Sequence, residues 1–255
     1  MSAGLSGHST ARGSDGSRLS RSYDSVYCWV CGAHPHLLPW HFQWLGVKDL
    51  HRDLRRILST LEGAVLDVGC GDKPYALWLS SAEEHIGIDI VAGPKVDHLL
   101  FADKPWPFDD CRFDAIVCTQ VLQYVGNPSL FIAEMIRVLR PGGTIVLSVP
   151  FNYNEHNVIS DYWRYSGTGL TKLFVGLEIV ETRRQGGFGS VVGMLTLNWL
   201  DSMFNLNKAT RLLKGALLPG WVCVSAAINL FGWVLDRLDR TGRFYVNAMI
   251  VARRL

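Results

Sequence analysis

The sequence lacks an excess of charge of either sign. Its 255 residues include 25 lysines and arginines and 23 aspartates and glutamates, which gives a formal net charge of +2. This balance excludes a nucleic-acid-binding protein that works by bulk positive charge. The low share of charged residues, 19%, excludes a highly charged disordered chain. With 48% apolar residues, the chain is long enough to bury the core of one or two domains.

The first residues also lack the apolar segment of a secretory signal peptide. Because they are rich in glycine, serine and arginine, we expect residues 1–21 to be a disordered tail. The six cysteines are scattered along a chain without such a leader. We therefore expect them to be thiols in a reducing, cytoplasmic compartment.

A zinc site is the alternative interpretation of the first two cysteines. Cys28 and Cys31 are followed by His34 and His36, which are ligand types that zinc accepts. A second paired motif is missing from the sequence, however, and four ligands on so short a stretch are sterically awkward. We therefore predict no metal site.

From residue 64 onwards, apolar strands and helices alternate. The predicted strands cover residues 64–69, 85–90, 112–119, 144–150, 177–182 and 244–253. The predicted helices cover residues 47–61, 75–80, 129–139 and 167–176, the third of them ended by a Pro-Gly-Gly sequence. Such an alternation is typical of an α/β fold with a mostly parallel sheet and helices on both faces.

These patterns divide the chain into five segments. They are the tail (1–21), an N-terminal helical segment (22–62), an α/β core (63–185), an apolar helical insertion (186–242) and a final strand of the core sheet (243–255). Residues 215–235 of the insertion lack any charge over a length that spans a bilayer. A transmembrane helix is disfavoured because the last strand must return to the same sheet. The stretch is then either a membrane-surface or lipid-acceptor cap, or a buried cap or homodimer interface.

A glycine loop follows the first core strand and points to the ligand class. The loop runs Asp67-Val68-Gly69-Cys70-Gly71, and Asp89 ends the second strand about twenty residues later. A phosphate-binding P-loop needs a Gly-Lys-Ser/Thr ending that is missing here. A dinucleotide site needs a third glycine where this chain has Pro74. Acidic groups instead suit a cofactor with a sulfonium and an ammonium group, and Asp89 is placed to accept hydrogen bonds from ribose hydroxyls.

On these residues the chain resembles the class I S-adenosylmethionine-dependent methyltransferases over residues 64–182. The motifs that carry the resemblance are VLDVGCG, GIDI, PWPFDDCRFDAIVCTQVLQYV and EMIRVLRPGGTIVLSVPF. It implies a Rossmann-like fold with a seven-stranded sheet, in which the apolar helical insertion of this chain precedes the last strand. The segments GDKPY and DYWRYSGTGL resemble a bacterial subgroup associated with polysaccharide and lipopolysaccharide gene clusters.

The same resemblance implies the residues that bind S-adenosylmethionine. They are Asp67, Gly69 and Gly71 at the methionine part, Asp89 at the ribose with Ile90 beside it, Ala102 or Asp103 at the adenine edge, and Thr119 and Gln120 near the reacting methyl group. The chain departs from the family at Gln123-Tyr124, where a Glu-His pair is frequent, and at the loop after the fourth strand, where a proline is missing.

Three residues after the fourth strand are candidates for catalysis. Methyl transfer is an in-line displacement that needs a base only where the nucleophile must lose a proton. A neutral His156 is placed to accept that proton, although it would equally serve to order its loop. Asp161 and Arg164 either bind a polar acceptor or form a structural ion pair. The neighbouring aromatics, Tyr162, Trp163 and Tyr165, form an acceptor wall or simply pack.

The sequence thus predicts an enzyme that methylates an oxygen or nitrogen of a glycan, a lipid-linked sugar or a secondary metabolite. Peripheral contact with the inner face of the membrane through residues 215–235 belongs to the same prediction, and nucleic acid does not. The alternatives are an inactive methyltransferase-fold scaffold or membrane-associated binding module, and a nicotinamide oxidoreductase. The acids Asp67 and Asp89 favour the enzyme, because a scaffold need not retain them.

Overall fold

The computed structural model describes residues 18–101, 104–155 and 160–255. Its N-terminal part consists of α1 (Arg18–Cys31), a small hairpin of β1 (Gly32–Ala33) and β2 (His36–Leu37), and α2 (Trp44–Leu58). Helix α1 begins inside the predicted tail, and the rest of that tail lies outside the described residues. The hairpin was not expected from the sequence, because its strands are only two residues long.

The core is the predicted seven-stranded sheet. Its strands are β3 (Gly63–Val68), β4 (Ala82–Asp89), β5 (His98–Leu99), β6 (Phe113–Thr119), β7 (Leu139–Pro150), β8 (Leu177–Gln185) and β9 (Asn247–Arg254), in the order β5-β4-β3-β6-β7-β9-β8. Strand β9 is antiparallel to both of its neighbours, whereas the pairs from β5 through β7 are parallel. The predicted Rossmann-like architecture with a mostly parallel sheet is confirmed, and β9 is its antiparallel strand.

Alternation along the strands divides the core between the two faces of the sheet. On one face, Leu66 of β3 and Ile116 of β6 pack in a cluster with Ile132 and Met135 of α3 (Pro128–Val138). On the other face, strand residues such as Val65 pack against α2 through a second cluster that includes Leu50, Leu54 and Leu58. This burial of both faces explains the nearly continuous apolar strands of the sequence.

Three predicted boundaries differ in the structure. The helix predicted over 75–80 is a single 3-10 turn, Ala76–Trp78, and the helix predicted over 167–176 is the short α4 (Gly167–Thr171). The Pro-Gly-Gly sequence does not follow α3 directly; it lies in the first part of β7, with Gly142 at φ +79°. Asn127 caps the start of α3 by accepting a hydrogen bond from the Leu130 amide over 3.2 Å.

The insertion between β8 and β9 forms a helical cap of α5 (Phe188–Phe204), α6 (Lys208–Ala216) and α7 (Leu218–Leu238). A Cβ atom on Gly189 would lie 1.9 Å from the carbonyl oxygen of Gly232, so glycine permits the close approach of α5 and α7. Among the described helices, α7 alone is long and apolar enough to cross a membrane by length and composition. It packs on the domain, however, because the Asn229 amide donates to the carbonyls of Pro39 and His41.

Candidate functional site

The loop after β3 depends on glycine for its shape. Gly69 and Gly71 adopt φ angles of +70° and +49°, and the amide of Gly69 donates to the Ile88 carbonyl over 2.8 Å. A Cβ atom on Gly69 would lie 2.3 Å from Cγ2 of Val121, so a larger residue does not fit without movement. The loop amides are thereby held at the carboxyl edge of the sheet, where open α/β sheets bind their ligands.

Two buried carboxylates stand at the same edge. Asp67 of β3 and Asp89 at the end of β4 are only 3% and 2% exposed. The two carboxylate oxygens of Asp89 accept hydrogen bonds from the amides of Gly71 and Val91, each over 3.0 Å. Asp89 therefore ties the glycine loop to the end of β4. Ile90, which follows it, is 57% exposed and offers an apolar surface beside the carboxylate.

Asp67 has a histidine partner that the sequence analysis missed. Its Oδ2 lies 3.2 Å from Nε2 of His85, which lies on the adjacent strand β4. Strand register brings them together, because Asp67 pairs with Gly87, two residues after His85. The sequence offers one signal for this contact, the alternation of side chains along β4. That alternation predicts the strand, but it does not show that His85 faces Asp67.

Lys73 is a second residue that the sequence analysis missed. It adopts φ +49°, and its ammonium group donates to the His85 carbonyl over 2.9 Å and to Asp97 Oδ2 over 2.6 Å. The same Asp97 oxygen accepts the Gly87 amide over 2.7 Å. Lys73, the lysine of the GDKPY segment, thus connects the glycine loop to β4. Its ammonium group binds His85 and Asp97 and does not face the loop amides.

Thr119 and Gln120 lie where β6 ends, next to the glycine loop. Gln120 adopts φ +57°, is 8% exposed, and donates through its side chain to Ser148 Oγ over 3.4 Å and to Asn247 Oδ1 over 3.3 Å. Asn247 in turn donates to the Gly46 carbonyl over 2.7 Å. This chain of polar groups connects β6 with β7, β9 and α2 at the carboxyl edge of the sheet.

Gln120 also lines a cleft, which we call the acceptor cleft. It is bounded by α2, by the segments that follow β6 and β7, by the first residue of β9 and by the inner face of α5. Its lining residues are Gln43, Gly46, Val47, Gln120, Gln123, Tyr124, Pro150, Tyr153, Asp161, Arg164, Met194, Asn198 and Asn247. Sequence analysis selected three of them as site residues, Gln120, Asp161 and Arg164, and named Gln123 and Tyr124 only as a departure from the family pattern. The others meet through tertiary packing.

Asp161 and Arg164 line this cleft as an ion pair. Two arginine nitrogens donate to the two carboxylate oxygens, over 2.5 Å and 2.8 Å, and the arginine also reaches the Asn154 carbonyl over 3.2 Å. Hydrogen bonding to Asp161 raises the pKa of Arg164, despite the opposing effect of burial. The predicted structural ion pair is therefore present, and it also places a charged, polar wall on the cleft.

The cleft has tyrosines that the sequence analysis did not select. Burial raises the pKa of Tyr153 to about 12 and also raises that of Tyr124, so both hydroxyls are neutral at physiological pH. The predicted aromatic wall lies elsewhere: Trp163 donates its ring N–H to the Val125 carbonyl over 2.9 Å, and Tyr162 is 56% exposed. Three predicted site residues lie outside the described part of the chain: Ala102, Asp103 and His156. The three positions after His156 lie outside it as well.

His34, one of the histidines that follow Cys28 and Cys31, lies close to a second histidine and to a tyrosine. Nε2 of His34 lies 3.0 Å from Nε2 of His51 and 3.1 Å from the hydroxyl of Tyr75. Within the described ranges, no group of three or more His, Cys, Asp and Glu side chains is arranged to hold a metal ion. Cys28 is exposed, whereas Cys31 is buried, so the CxxC pair does not present its two thiols to a common site.

This histidine pair predicts acid sensitivity. Burial, then the nearby histidines, lowers the pKa of His34 to about 4 and that of His51 to about 3, from an ordinary value of 6.5. Both rings stay neutral in the folded protein while the unfolded chain takes up protons below pH 6.5, so stability is lost as the pH falls from 6.5 towards 4. We expect the unfolding free energy to fall by about 2–4 kcal/mol between pH 7 and pH 5.

Urea unfolding at the two pH values, followed by tryptophan fluorescence, measures this effect. The variant His51→Gln keeps a hydrogen-bonding side chain but cannot take up a proton. It should lose about half of the pH dependence, since one of two titrating groups is removed. An unchanged pH dependence in this variant would show that the acid sensitivity arises elsewhere.

Comparison with known protein families gives one match over most of the chain. A family model described as a methyltransferase domain matches residues 46–200. The matched region begins in α2 and ends in α5. It therefore contains the glycine loop, both buried carboxylates and the ion pair of the acceptor cleft.

Curated relatives match a shorter region. A probable S-adenosylmethionine-dependent methyltransferase of Mycolicibacterium smegmatis is 35% identical over 98 residues, which is 34% of this chain and 37% of that protein. A ubiquinone biosynthesis O-methyltransferase of Xylella fastidiosa is 32% identical over 110 residues, 35% of this chain and 43% of that protein. A demethylmenaquinone methyltransferase of Renibacterium salmoninarum is 30% identical over 115 residues, 38% of this chain and 47% of that protein. The matches thus span less than half the length of these relatives.

Among solved structures, the cyclase SpnF shares the fold. It superposes with a TM-score of 0.52 at 20% identity, covering 80% of this chain and 81% of that one. This similarity extends to the architecture alone. Since that protein is named as a [4+2]-cyclase, the fold does not by itself determine the reaction.

Proposed function

Because this chain belongs to the methyltransferase domain family, whose members have the class I fold and depend on S-adenosylmethionine, we propose that it methylates an acceptor in the acceptor cleft. The nucleophile is an oxygen or a nitrogen of that acceptor. The observation that carries the proposal is the position of Gln120, which lines the acceptor cleft and directly follows β6, the strand that pairs with β3 and so lies beside the glycine loop.

The residues at the edge of the sheet fit the cofactor. A methionine chain with an ammonium and a sulfonium group suits the buried Asp67 and the close backbone at Gly69 and Gly71, whereas a pyrophosphate would need positive charge there. Lys73, the basic residue next to the loop, is engaged with Asp97 instead. Asp89 and Ile90 would hold the ribose, Thr119 and Gln120 would flank the methyl group, and Ala102 or Asp103 would meet the adenine edge.

When bound, S-adenosylmethionine supplies an electrophilic methyl group on a positively charged sulfur. The protein then has to hold the acceptor nucleophile in line with the carbon–sulfur bond, so that the new bond forms as the old one breaks and the sulfur becomes a neutral thioether. An acceptor hydroxyl must also lose its proton. The tyrosines of the cleft have raised pKa values, and Asp161 is bound by Arg164, so we do not assign the base to them. We propose His156, selected by its position after β7 in the sequence, as the base.

We propose an amphipathic acceptor with a polar group and an apolar part. The cleft combines apolar side chains, Val47 and Met194, with polar ones such as Gln43 and Asn198. Relatives named for ubiquinone biosynthesis and for demethylmenaquinone methylation agree with an acceptor of this kind. A glycan, a lipid-linked sugar and a secondary metabolite are the acceptor classes that the sequence motifs favour.

A scaffold without activity is the second candidate, and one observation favours it. Gln123 and Tyr124 stand where a Glu-His pair is frequent in the family, and Gln123 is committed to structure: its side chain donates to the Gln120 carbonyl over 2.8 Å. The two buried cofactor acids favour the enzyme. Cofactor binding separates the two candidates, because a scaffold has no need of it.

The proposal includes a cytoplasmic location. The six cysteines of the chain are free thiols in the structure. The partners proposed are a small-molecule, glycan or lipid-linked acceptor, without nucleic acid, and a homodimer is the alternative use of the cap.

The variant His156→Ala tests the proposed base. Loss of a general base typically lowers the rate by about 100-fold or more, so we expect turnover to fall by that factor. Affinity for S-adenosylmethionine should not change, since the base acts on the acceptor. The assay uses radiolabelled methyl donor and the first acceptor to react in a screen of lipid-linked sugars and phenols. The exposed neighbour Glu155, changed to Gln, is the matched control; equal turnover of both variants would exclude His156 as the base.

A further inference from the structure

The helical cap exposes apolar side chains along two adjacent helices. On α5 they recur every three or four residues, which places them on one side of the helix. On α7, Phe231, Val234 and Leu238 have the same spacing, Val224 lies seven residues before Phe231, and Leu230 lies beside it. We call these ten residues the apolar outer face: Phe188, Val192, Leu195, Trp199 and Met203 on α5, and Val224, Leu230, Phe231, Val234 and Leu238 on α7. Each is between 36% and 69% exposed.

The opposite sides of the same helices hold the cap on the domain. The helices run antiparallel, because Gly189 approaches Gly232 while Gly193 approaches Ile228. The Ser190 amide donates to Asp236 Oδ1 over 2.7 Å at one end of the pair. The inner sides of α5 and α7 therefore make the contacts that hold the cap, and the apolar outer face stays largely exposed.

Charge is missing from the outer face. Between residues 188 and 235 the sequence has four charged residues, Asp201, Lys208, Arg211 and Lys214. Asp201 and Lys214 are buried and pair with each other, and Arg211 is partly buried. Among the charged side chains that the structure describes in this range, none is exposed. The surface differs in this respect from an ordinary solvated helix face.

A basic rim borders the outer face where α7 ends. Arg237, Arg240 and Arg243 are exposed there. Of the two acids of the same segment, Asp236 is largely buried and binds Ser190, whereas Asp239 is partly exposed and accepts the Phe188 amide over 3.2 Å and the Thr241 amide over 2.8 Å. Three exposed arginines thus stand against one partly exposed aspartate. The charge presented to a partner at this rim is therefore positive.

From these features we infer that the apolar outer face docks the protein on the surface of an anionic lipid bilayer. A bilayer meets both features at once, since its acyl boundary accepts the apolar rows while its phosphates face the three arginines. The protein would lie on the membrane without crossing it, because the inner side of α7 is bound to the domain through Asn229.

Docking in this orientation has a consequence for the cleft. Met194 and Asn198 line the acceptor cleft from α5, and their neighbours Leu195 and Trp199 belong to the exposed row of the same helix. Docking would therefore place the lipid surface against the helix that forms one wall of the cleft. Docking itself depends on surface chemistry alone, so it is independent of the proposed methyl transfer.

Flotation of the full chain with lipid vesicles tests the inference without any catalytic readout. We expect the protein to float with vesicles of phosphatidylcholine mixed with phosphatidylglycerol, and less with phosphatidylcholine alone. Added salt should weaken the binding, since the screening length falls from about 10 Å at 0.1 M to about 3 Å at 1 M. The variant Arg240→Glu with Arg243→Glu should lose the preference for the anionic vesicles.

Two exposed positions test the apolar part. The double variant Trp199→Asp, Phe231→Asp should bind the anionic vesicles at least about tenfold more weakly, because two large apolar side chains no longer enter the acyl boundary. Leu130→Asp on α3 is the matched control, at 66% exposure against 60% and 64%, and should bind as wild type does. Melting temperatures verify that all variants fold.

Two results would overturn the inference. One is wild-type protein that stays with neither kind of vesicle at low salt. The other is equal binding by the double variant and by wild type. Sedimentation of the same samples tests whether a second copy of this chain covers the outer face instead. That assignment would follow if the wild-type protein is a dimer that does not float with vesicles and the double variant is a monomer.

Discussion

Replacement of Asp89 by alanine is expected to weaken binding of S-adenosylmethionine by roughly 100-fold or more, because hydrogen bonds between charged and neutral groups contribute about 1.5–3 kcal/mol each. The carboxylate is buried at the end of β4, and it also positions the glycine loop through the Gly71 amide. Its removal therefore takes away both the proposed ribose contact and the fixed position of the loop. Calorimetric titration measures the loss.

Two controls separate a binding effect from a folding effect. Asp89→Asn keeps one oxygen that can accept the Gly71 amide and loses only the bond to the Val91 amide, so it should be more stable than Asp89→Ala and still bind weakly. Asp109→Ala removes an exposed carboxylate and should leave affinity unchanged. Wild-type affinity in both Asp89 variants would contradict the assigned cofactor site.

Replacement of Asp201 by asparagine is expected to destabilise the fold by about 3–5 kcal/mol, because one charge of a buried pair loses its partner. The ammonium of Lys214 pairs with Asp201 and lies 5.2 Å from the ring centre of Trp221, 5.6 Å from that of Tyr23 and 5.8 Å from that of Phe42. It joins α6 to the rest of the cap and to the N-terminal segment. Chemical unfolding followed by fluorescence gives the change in free energy.

The double variant Asp201→Asn, Lys214→Met tests the reason for this loss. Without the ammonium no buried charge remains unpaired, so the double variant should be more stable than Asp201→Asn alone. Glu84→Ala breaks a pair with Arg112 whose side chains are 43% and 36% exposed, and should cost less than about 1 kcal/mol. Equal losses for Asp201→Asn and Glu84→Ala would contradict a buried pair.

The sequence predicted the core of the fold because its strands are buried on both faces. Strands β3, β6 and β7 are apolar runs bounded by turn residues, and such runs are readable from composition alone. Strand β5 was not predicted, since a two-residue strand exists only through its pairing with β4. The predicted helix at 75–80 failed for a similar reason: Tyr75 and Trp78 are buried against other elements, and only a single 3-10 turn forms there.

The candidate site divides in the same way. The glycine loop, Asp67 and Asp89 follow strand ends, so position along the chain was enough to select them. The acceptor cleft is a different case, because Gln43, Asn198 and Asn247 come from three elements that meet only in the folded chain. The same holds for the bond between Lys73 and Asp97, which spans 24 residues.

The central claim is that the glycine loop and the two buried acids hold S-adenosylmethionine. Calorimetric titration of the wild-type protein with S-adenosylmethionine, and separately with S-adenosylhomocysteine, tests it most directly. The account predicts that both bind, with dissociation constants of the order of micromolar, equivalent to about 8 kcal/mol. A folded protein that binds neither compound would contradict the account and support the scaffold.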